Sequence, residues 1–271
     1  MCKIANVSRA GYYKWLKNED KKPKDYDDYI LIKNIFVEGK KKLGWRSIRM
    51  KLEREEKVII NHKKIIRIKN SYGLITKIRR KNPYRDMIKK TKEHRVFKNI
   101  VNREFKNKKP REVLCTDISY LPFSNKIAYL SVVKDISTKE IVAWKISNNL
   151  KMNLVLDTVK NIEKNDTNFK NIIIHSDQGA HYTSPVFISE IKKLKMVQSM
   201  SRKGNCLDNS PVESFFGHLK DEMDYKKCKS FEEIKVLTEE YIKYYNNERY
   251  QWNLNKMTPT EYRKFLLNKD N

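Results

Sequence analysis

The sequence predicts an α/β domain preceded by a small all-helical one, and three observations carry that division. Charge is unevenly spread: residues 1–110 hold 34 basic and 12 acidic residues, a net of +22, whereas residues 111–271 hold 25 and 21, a net of +4. Up to about residue 85 apolar residues recur at helical spacing. Beyond residue 111 they gather into short β-branched and aromatic runs, first consecutive and then alternating with amphipathic stretches. That is the pattern of a mixed sheet covered on both faces.

Taken in order, residues 1–24 are expected to form an N-terminal helical segment, and residues 25–82 a three-helix unit. Tyr29, Ile32, Ile35 and Phe36 mark one helix, and Ile48 and Leu52 a second, with Gly44–Trp45 as the break between them. A third follows Asn61, a good N-cap, with Ile65, Ile66 and Ile68 interleaved with Lys63, Lys64, Arg67 and Lys69, and it ends at Tyr72–Gly73–Leu74. Residues 83–110, with Pro83, Pro110 and a dense basic run, read as a linker with some helix. From residue 111, EVLCTDISYL, IAYLSVVKDIS and EIVAWKIS read as three consecutive strands, with Ser124–Asn125 as a turn. A helix around Leu154–Ile162, a buried strand in NIIIHSD and a helix in SPVFISEIKKLK follow. NSPVESFFGHLKDEM closes the motif region as another helix.

A basic half beside a nearly balanced half indicates a polyanion-binding module joined to a unit with another task. General enrichment in Lys, Asn and Ile is the plainer explanation, yet it does not by itself empty the first 110 residues of acids. The cysteines Cys2, Cys115, Cys206 and Cys228 are scattered, signalling neither a disulfide framework nor a zinc site. No apolar run approaches the ~18 residues of a membrane span. The expectation is a soluble cytoplasmic protein, on the nucleoid when bound to DNA.

Three acids stand where two-metal phosphoryl transfer would need them, since hard divalent ions prefer oxygen ligands held on rigid elements. Asp117 lies within the first strand, flanked by Leu114 and Ile118. Asp177 follows the apolar run Ile172–Ile174, where ligand sites gather in α/β sheets. Glu213 sits in a helix whose face Val212, Phe215, Phe216, Leu219 and Met223 is apolar. Each has an ordinary reading too. Asp117 fits an edge strand facing water, and Asp177 fits a turn. Ser210-Pro211-Val212-Glu213 fits a capping box, a role competing for the same carboxylate. Lys220, two turns beyond Glu213, projects from the same side. Arg202 and Lys203 lie in the polar loop SMSRKGNCLDNS and are weaker phosphate-binding candidates. His175 reads as structural.

These segments together resemble a known family. TDISY around Asp117, HSDQGAHYTS around Asp177 and SMSRKGNCLDNSPVESFFGHLKDE around Glu213 resemble the catalytic blocks of DDE insertion-sequence transposases. The group concerned is the one whose catalytic protein is the second reading frame, related to retroviral integrases. The 35 residues between Asp177 and Glu213 match the family spacing, and Lys220 matches the basic residue seven positions after its Glu. YYNNERYQWNLNKMTPTEY resembles the family's C-terminal signature. VSRAGYYKWL and GWRSIRMKLEREEKVIINHKKIIRIKNSYGL resemble its helix-turn-helix segment. Trp45 replaces the usual Tyr, away from the triad.

The resemblance implies a ribonuclease-H-like integrase core with a mixed five-stranded sheet over 111–271, ending in a helical tail, behind a helix-turn-helix domain at 25–82. It implies two Mg²⁺ ions, with Mn²⁺ able to substitute, held by Asp117, Asp177 and Glu213, with Lys220 on phosphate. It also implies nicking at terminal inverted repeats, joining of the freed 3′-hydroxyl to target DNA, a homo-oligomeric synaptic complex and a fused upstream-frame segment. Lys63, Lys64, Arg67 and Lys69 are the expected DNA-facing cations of the first unit. A non-catalytic DNA-binding regulator of transposition and a structure-selective nuclease on the same fold are the alternatives.

Overall fold

The computed structural model describes residues 7–17, 25–77, 96–105, 108–163, 171–202 and 206–269. The chain divides into two compact units, Met1–Lys77 and Ile78–Asn271.

In the first unit, α1 (Arg9–Leu16) starts at Ser8, whose hydroxyl accepts from Gly11 N. Helices α2 (Tyr26–Glu38), α3 (Trp45–Arg54) and α4 (His62–Ser71) follow. Asn61 caps α4 as expected, its Oδ1 accepting from Lys63 N at 2.9 Å. The apolar positions that mark these helices converge: Ile32, Ile35, Phe36, Ile48, Leu52, Ile65 and Ile68 form one buried core. Packing of the three stripes, not intrinsic propensity, stabilises helices this short.

The second unit opens with β1 (Val113–Phe123), β2 (Lys126–Asp135) and β3 (Ile141–Ser147), a meander matching the three runs in the sequence. Ser124 and Asn125 form the two-residue loop, both with positive φ (37° and 59°), which suits the twist of a tight hairpin. Then come α5 (Met152–Glu163), β4 (Ile173–Ser176), α6 (Pro185–Lys193) and β5 (Val197–Met200). Helices α7 (Ser210–Glu222), α8 (Phe231–Asn247) and α9 (Pro259–Lys269) complete the unit. The sheet order is β3-β2-β1-β4-β5, antiparallel through the meander and parallel from β1 to β4 and β5. This is the five-stranded ribonuclease-H-like arrangement that the resemblance implies.

One face of the sheet packs on α7 and α8 through Phe215, Leu219, Ile234 and Tyr245. The other packs on α5 and α6 through Val155, Val159, Phe187 and Ile191. Burying each such side chain stabilises the unit by about 1.5–3 kcal/mol. Each outer strand of the sheet meets a group from outside it at one point. At β3, the Asn246 amide pairs with Ile141 N and O at 2.9 and 3.0 Å. Beside β5, Met200 N points at Lys98 O at 3.5 Å.

Two features depart from the sequence reading. Strand β5 is not legible as an apolar run, because Gln198 and Ser199 are buried yet hydrogen-bonded, Gln198 to Tyr182 O at 2.7 Å and Ser199 to His175 at 2.9 Å. The end of the expected linker, residues 96–105, is not a bare tether. Val101 is 3% exposed within the α7-side core.

Candidate active site

The three acids arrive from three elements. Strands β1 and β4 run parallel with Cys115 beside His175, two residues before Asp117 and Asp177 respectively. Strand β4 ends at Ser176, and Asp177 turns the chain: its Oδ1 accepts from Gly179 N at 2.9 Å. A Cβ at position 179 would lie 2.8 Å from that same oxygen, so glycine is what lets the carboxylate sit there. Asp117 is half-buried, and its Oδ1 accepts from Ile118 N at 2.8 Å.

Glu213 lies in the first turns of α7. The helix begins at Ser210, one residue earlier than a capping box needs, and its N-cap Asn209 makes no side-chain cap bond. The competing role for Glu213 is therefore not taken up. Val212, Phe215, Phe216 and Leu219 bury the helix against the sheet. Lys134, buried on β2, donates to Pro211 O at 2.9 Å and ties the helix start to the strand beside β1.

Burial, and then the charge of Asp177, push the Asp117 carboxyl up to about 8; Glu213 adds to the rise, while the Ile118 amide and Lys220 oppose it. Asp117 therefore feels all three other members of the expected set. Three oxygen-donor groups that repel one another match the chemistry of a hard divalent cation, which would relieve that repulsion. Among the described residues, no three acids, histidines or cysteines already stand close enough together to grip an ion. The fit is thus one of donor type and mutual influence, not of a preformed cage.

His175 is fully buried with Nδ1 2.9 Å from Ser199 Oγ, and burial pushes its pKa down to about 4, so it stays neutral and structural. Burial raises the Cys115 thiol to about 12, which leaves it inert.

Several expected DNA contacts are placed differently. Arg202 is spoken for: its guanidinium meets Asp208 through Nε and Nη2, both at 2.9 Å, and its backbone N donates to the same carboxylate. Lys203 lies outside the described residues. Lys69 requires a correction. It is 9% exposed, donates to Leu43 O and to Thr76 Oγ1 at 3.2 and 2.8 Å, and sits over the Phe36 ring. It ties the first unit together from within and does not face DNA. Lys63 is exposed on α4, in a stripe with Ile66, Arg67 and Asn70. Arg67 pairs with Asp25, and Lys64 with Asp25 and Asp28.

Sequence reasoning passed over Lys134 and Asp208. A buried lysine carries no periodic signal. The segment containing Asp208 looks like an ordinary polar loop, although its acid collects Asn99, Arg103 and Arg202.

A five-stranded core of this order, with acids on β1, at the end of β4 and on the helix after β5, defines an integrase-type unit. Sequence comparison agrees. An integrase core domain model matches residues 107–206, a second integrase core model matches 213–267, and an HTH-like domain model matches 24–82. The chain is 34% identical over 266 residues to the putative transposase InsK for insertion sequence element IS150 of Escherichia coli, covering 97% of this chain and 92% of that one. It is 30% identical over 269 residues to the uncharacterized 31 kDa protein of insertion element IS600 from Shigella sonnei, covering 97% of each. A transposase-like protein of Haemophilus influenzae is 36% identical over 228 residues, 81% of this chain and 100% of that protein. The chain belongs to the insertion-sequence transposases with an integrase core, the second-reading-frame type. No helix among the described residues is long and apolar enough to cross a membrane.

Proposed function

We propose that this transposase nicks DNA at the ends of its element and joins the freed 3′-hydroxyl to a second DNA, with Asp117, Asp177 and Glu213 as its metal ligands. The observation that carries this reading is the placement of the three acids on one core, Asp117 within β1, Asp177 just past the end of the parallel neighbour β4 and Glu213 in the first turns of α7 packed on the same sheet. Asp117 and Asp177 would hold the metal, with Glu213 completing the ligand set. Bound there, two Mg²⁺ ions, or Mn²⁺ in their place, would stabilise the attacking and leaving oxygens of an in-line displacement at phosphorus.

The chain's own groups do the rest. Backbone amides of Ile118 and Gly179 each hold one oxygen of an aspartate, fixing how the carboxylates face the substrate. Lys220, on the Glu213 side of α7, engages the phosphate whose charge grows as the new P–O bond forms. In the first step water attacks phosphorus and the 3′-oxygen leaves as a hydroxyl. In the second that hydroxyl attacks another phosphodiester and displaces its 3′-oxygen. His175 is buried and neutral, and no histidine base is needed.

In the first unit the exposed stripe of α4, with Lys63, Arg67 and Asn70, is the groove-reading surface, and phosphates compete with Asp25 and Asp28 for Arg67 and Lys64. The working assembly is an oligomer holding two inverted repeats, with an upstream-frame segment fused or associated. The discriminating experiment supplies a pre-cut repeat end bearing a 3′-hydroxyl together with a labelled target duplex and Mn²⁺. Joined products that disappear with Asp117→Asn establish the transposase chemistry. End cleavage without any joining, by chain and fused form alike, would instead make the protein a nuclease, and binding without either step a regulator.

A further inference from the structure

The stretch Val96–Phe105 forms a strap that bonds to β5, the neighbour of β4, and to the turn that leads into α7. On one side, Ile100 N donates to Ser199 Oγ at 2.9 Å, and that hydroxyl lies 2.9 Å from His175 Nδ1, two residues before Asp177. On the other, Asn99 Nδ2 donates to Asp208 Oδ2 at 3.0 Å and Arg103 Nε to Asp208 Oδ1 at 2.6 Å. Asp208 lies in the 3₁₀ turn Cys206–Asn209, which runs directly into α7, five residues before Glu213.

The strap is built, not merely laid down. Val101 is buried, while Phe97 and Phe105 pack on the cores of opposite sheet faces. Asn102 and Arg103 both take left-handed backbone, φ 43° and 63°, a conformation uncommon away from glycine, and Asn102 N donates to Asn99 Oδ1 at 2.8 Å. This turn aims Arg103 at Asp208, whose side chain is 0% exposed. A carboxylate withdrawn from water needs cations and donors around it, and a strap that served packing alone would need neither. Both Asn99 and Arg103 stand outside the stretch matched to the integrase core model, which begins at 107.

We propose that Asn99 and Arg103 are positioning residues for the metal ligands: through Asp208 they hold the start of α7, and with it Glu213, while the strap's bond to Ser199 steadies β4 and Asp177. This rests on the metal reading above. Supporting partners of this kind typically contribute about 10–100-fold in metal affinity or activity.

The test uses the full chain as wild type, as the double variant Asn99→Ala/Arg103→Met and as Arg103→Lys, with Asp117→Asn as control. Mn²⁺-dependent thermal shift reads metal binding without any need for turnover, and kcat and KM for end cleavage are read alongside. The double variant should keep the wild-type near-UV spectrum and KM, yet need about ten-fold more Mn²⁺ for its half-maximal shift and lose kcat by about 10–100-fold. Arg103→Lys should fall between, its ammonium keeping the charge but not the aim. A wild-type Mn²⁺ midpoint in Arg103→Lys and the double variant, or in Arg103→Lys alone if the double variant does not fold, would overturn the strap and leave the metal reading standing. So would a loss confined to KM, which would make Arg103 a DNA contact. No Mn²⁺ shift in the wild type, or an undiminished one in Asp117→Asn, would sink the metal reading and the strap together.

Discussion

Lys134 Nζ donates to the carbonyl oxygen of Pro211 at 2.9 Å, so a buried ammonium on β2 holds the first turn of the helix that carries Glu213. Lys134 is paired with Cys115, and Asp117 lies two residues further along β1, so all three share one face of the sheet. The rings of Phe215 and Tyr245 flank the ammonium at 5.9 and 5.6 Å. The separation between the strand acid and the helix acid is thus set partly by one side chain.

That side chain is costly to keep. Burial pushes the Lys134 pKa down to about 7, from an ordinary value of 10.5. Between those values the unfolded chain holds a proton that the folded chain has given up, so stability contributed at this position rises with pH from about 7 to 10.5. Lys134→Met removes the penalty. Its melting temperature should exceed the wild type's at pH 6–7, with the difference shrinking by at most about 1.4 kcal/mol per pH unit as the pH rises through that window. Thermal melts at pH 6, 8 and 10 check this, and a variant less stable at pH 6 would show that the Pro211 bond outweighs the desolvation.

Asp117 carries strain of the opposite sign. Its folded pKa of about 8 stands above the ordinary 3.8, so without metal its contribution to stability is lost as pH rises from about 4 through 8. In EDTA at pH 8, Asp117→Asn should melt higher than the wild type while losing its activity, a trade common at functional sites. Divalent metal should erase or invert the difference, since it stabilises the wild type alone. Equal melting temperatures in EDTA would mean that neither burial nor the neighbouring carboxylates penalise the Asp117 charge.

Gly179→Ala tests the seating of Asp177. The added Cβ would meet Asp177 Oδ1 at 2.8 Å, and something must shift, with the carboxylate the nearest atom to do so. The fold should be retained, with far-UV spectra unchanged, while metal-dependent cleavage falls by about 10-fold or more. Undiminished cleavage would place Asp177 outside the reacting geometry.

Within the first unit, Lys63 and Lys69 should part company. Lys69→Ala removes the donor to Thr76 Oγ1 and one of the two donors to Leu43 O, which Thr76 Oγ1 still reaches at 3.2 Å, and should destabilise this unit by about 1 kcal/mol. Its salt dependence of DNA binding should stay as in the wild type. Lys63→Ala should leave the melting temperature unchanged and lower the slope of log affinity against log salt by about 1. Reversed outcomes would put Lys69 on the DNA.

Legibility in the sequence followed a clear physical line. The meander of β1 to β3 was readable because its runs are apolar, bounded and joined by Ser124–Asn125, a pair suited to a two-residue hairpin. Helices α2 to α4 were readable from one apolar stripe each. Strand β5 was not, because half of its four residues, Gln198 and Ser199, are polar groups whose burial rests on tertiary partners such as Tyr182 O and His175. Lys69 misled differently. Its charge groups it with Lys63 and Arg67, whereas helical spacing sets it beside Ile65 on the buried face of α4. The capping-box reading of Ser210 to Glu213 failed by a single residue of helix start, which local sequence does not determine. Asp208 was invisible because its partners Asn99 and Arg103 lie more than a hundred residues earlier in the chain.

The most direct test of the central claim, that Asp117, Asp177 and Glu213 form a single metal-dependent centre, is nicking of a labelled terminal repeat in Mg²⁺ and in Mn²⁺. Wild type would be compared with Asp117→Asn, Asp177→Asn, Glu213→Gln and the three combined. Groups that act as one unit are not additive, so each single variant should lose about as much as the triple, on the order of 10³-fold or more, or about 4 kcal/mol of barrier. A single variant that nicks at the wild-type rate, or wild-type nicking that persists in EDTA, would contradict it.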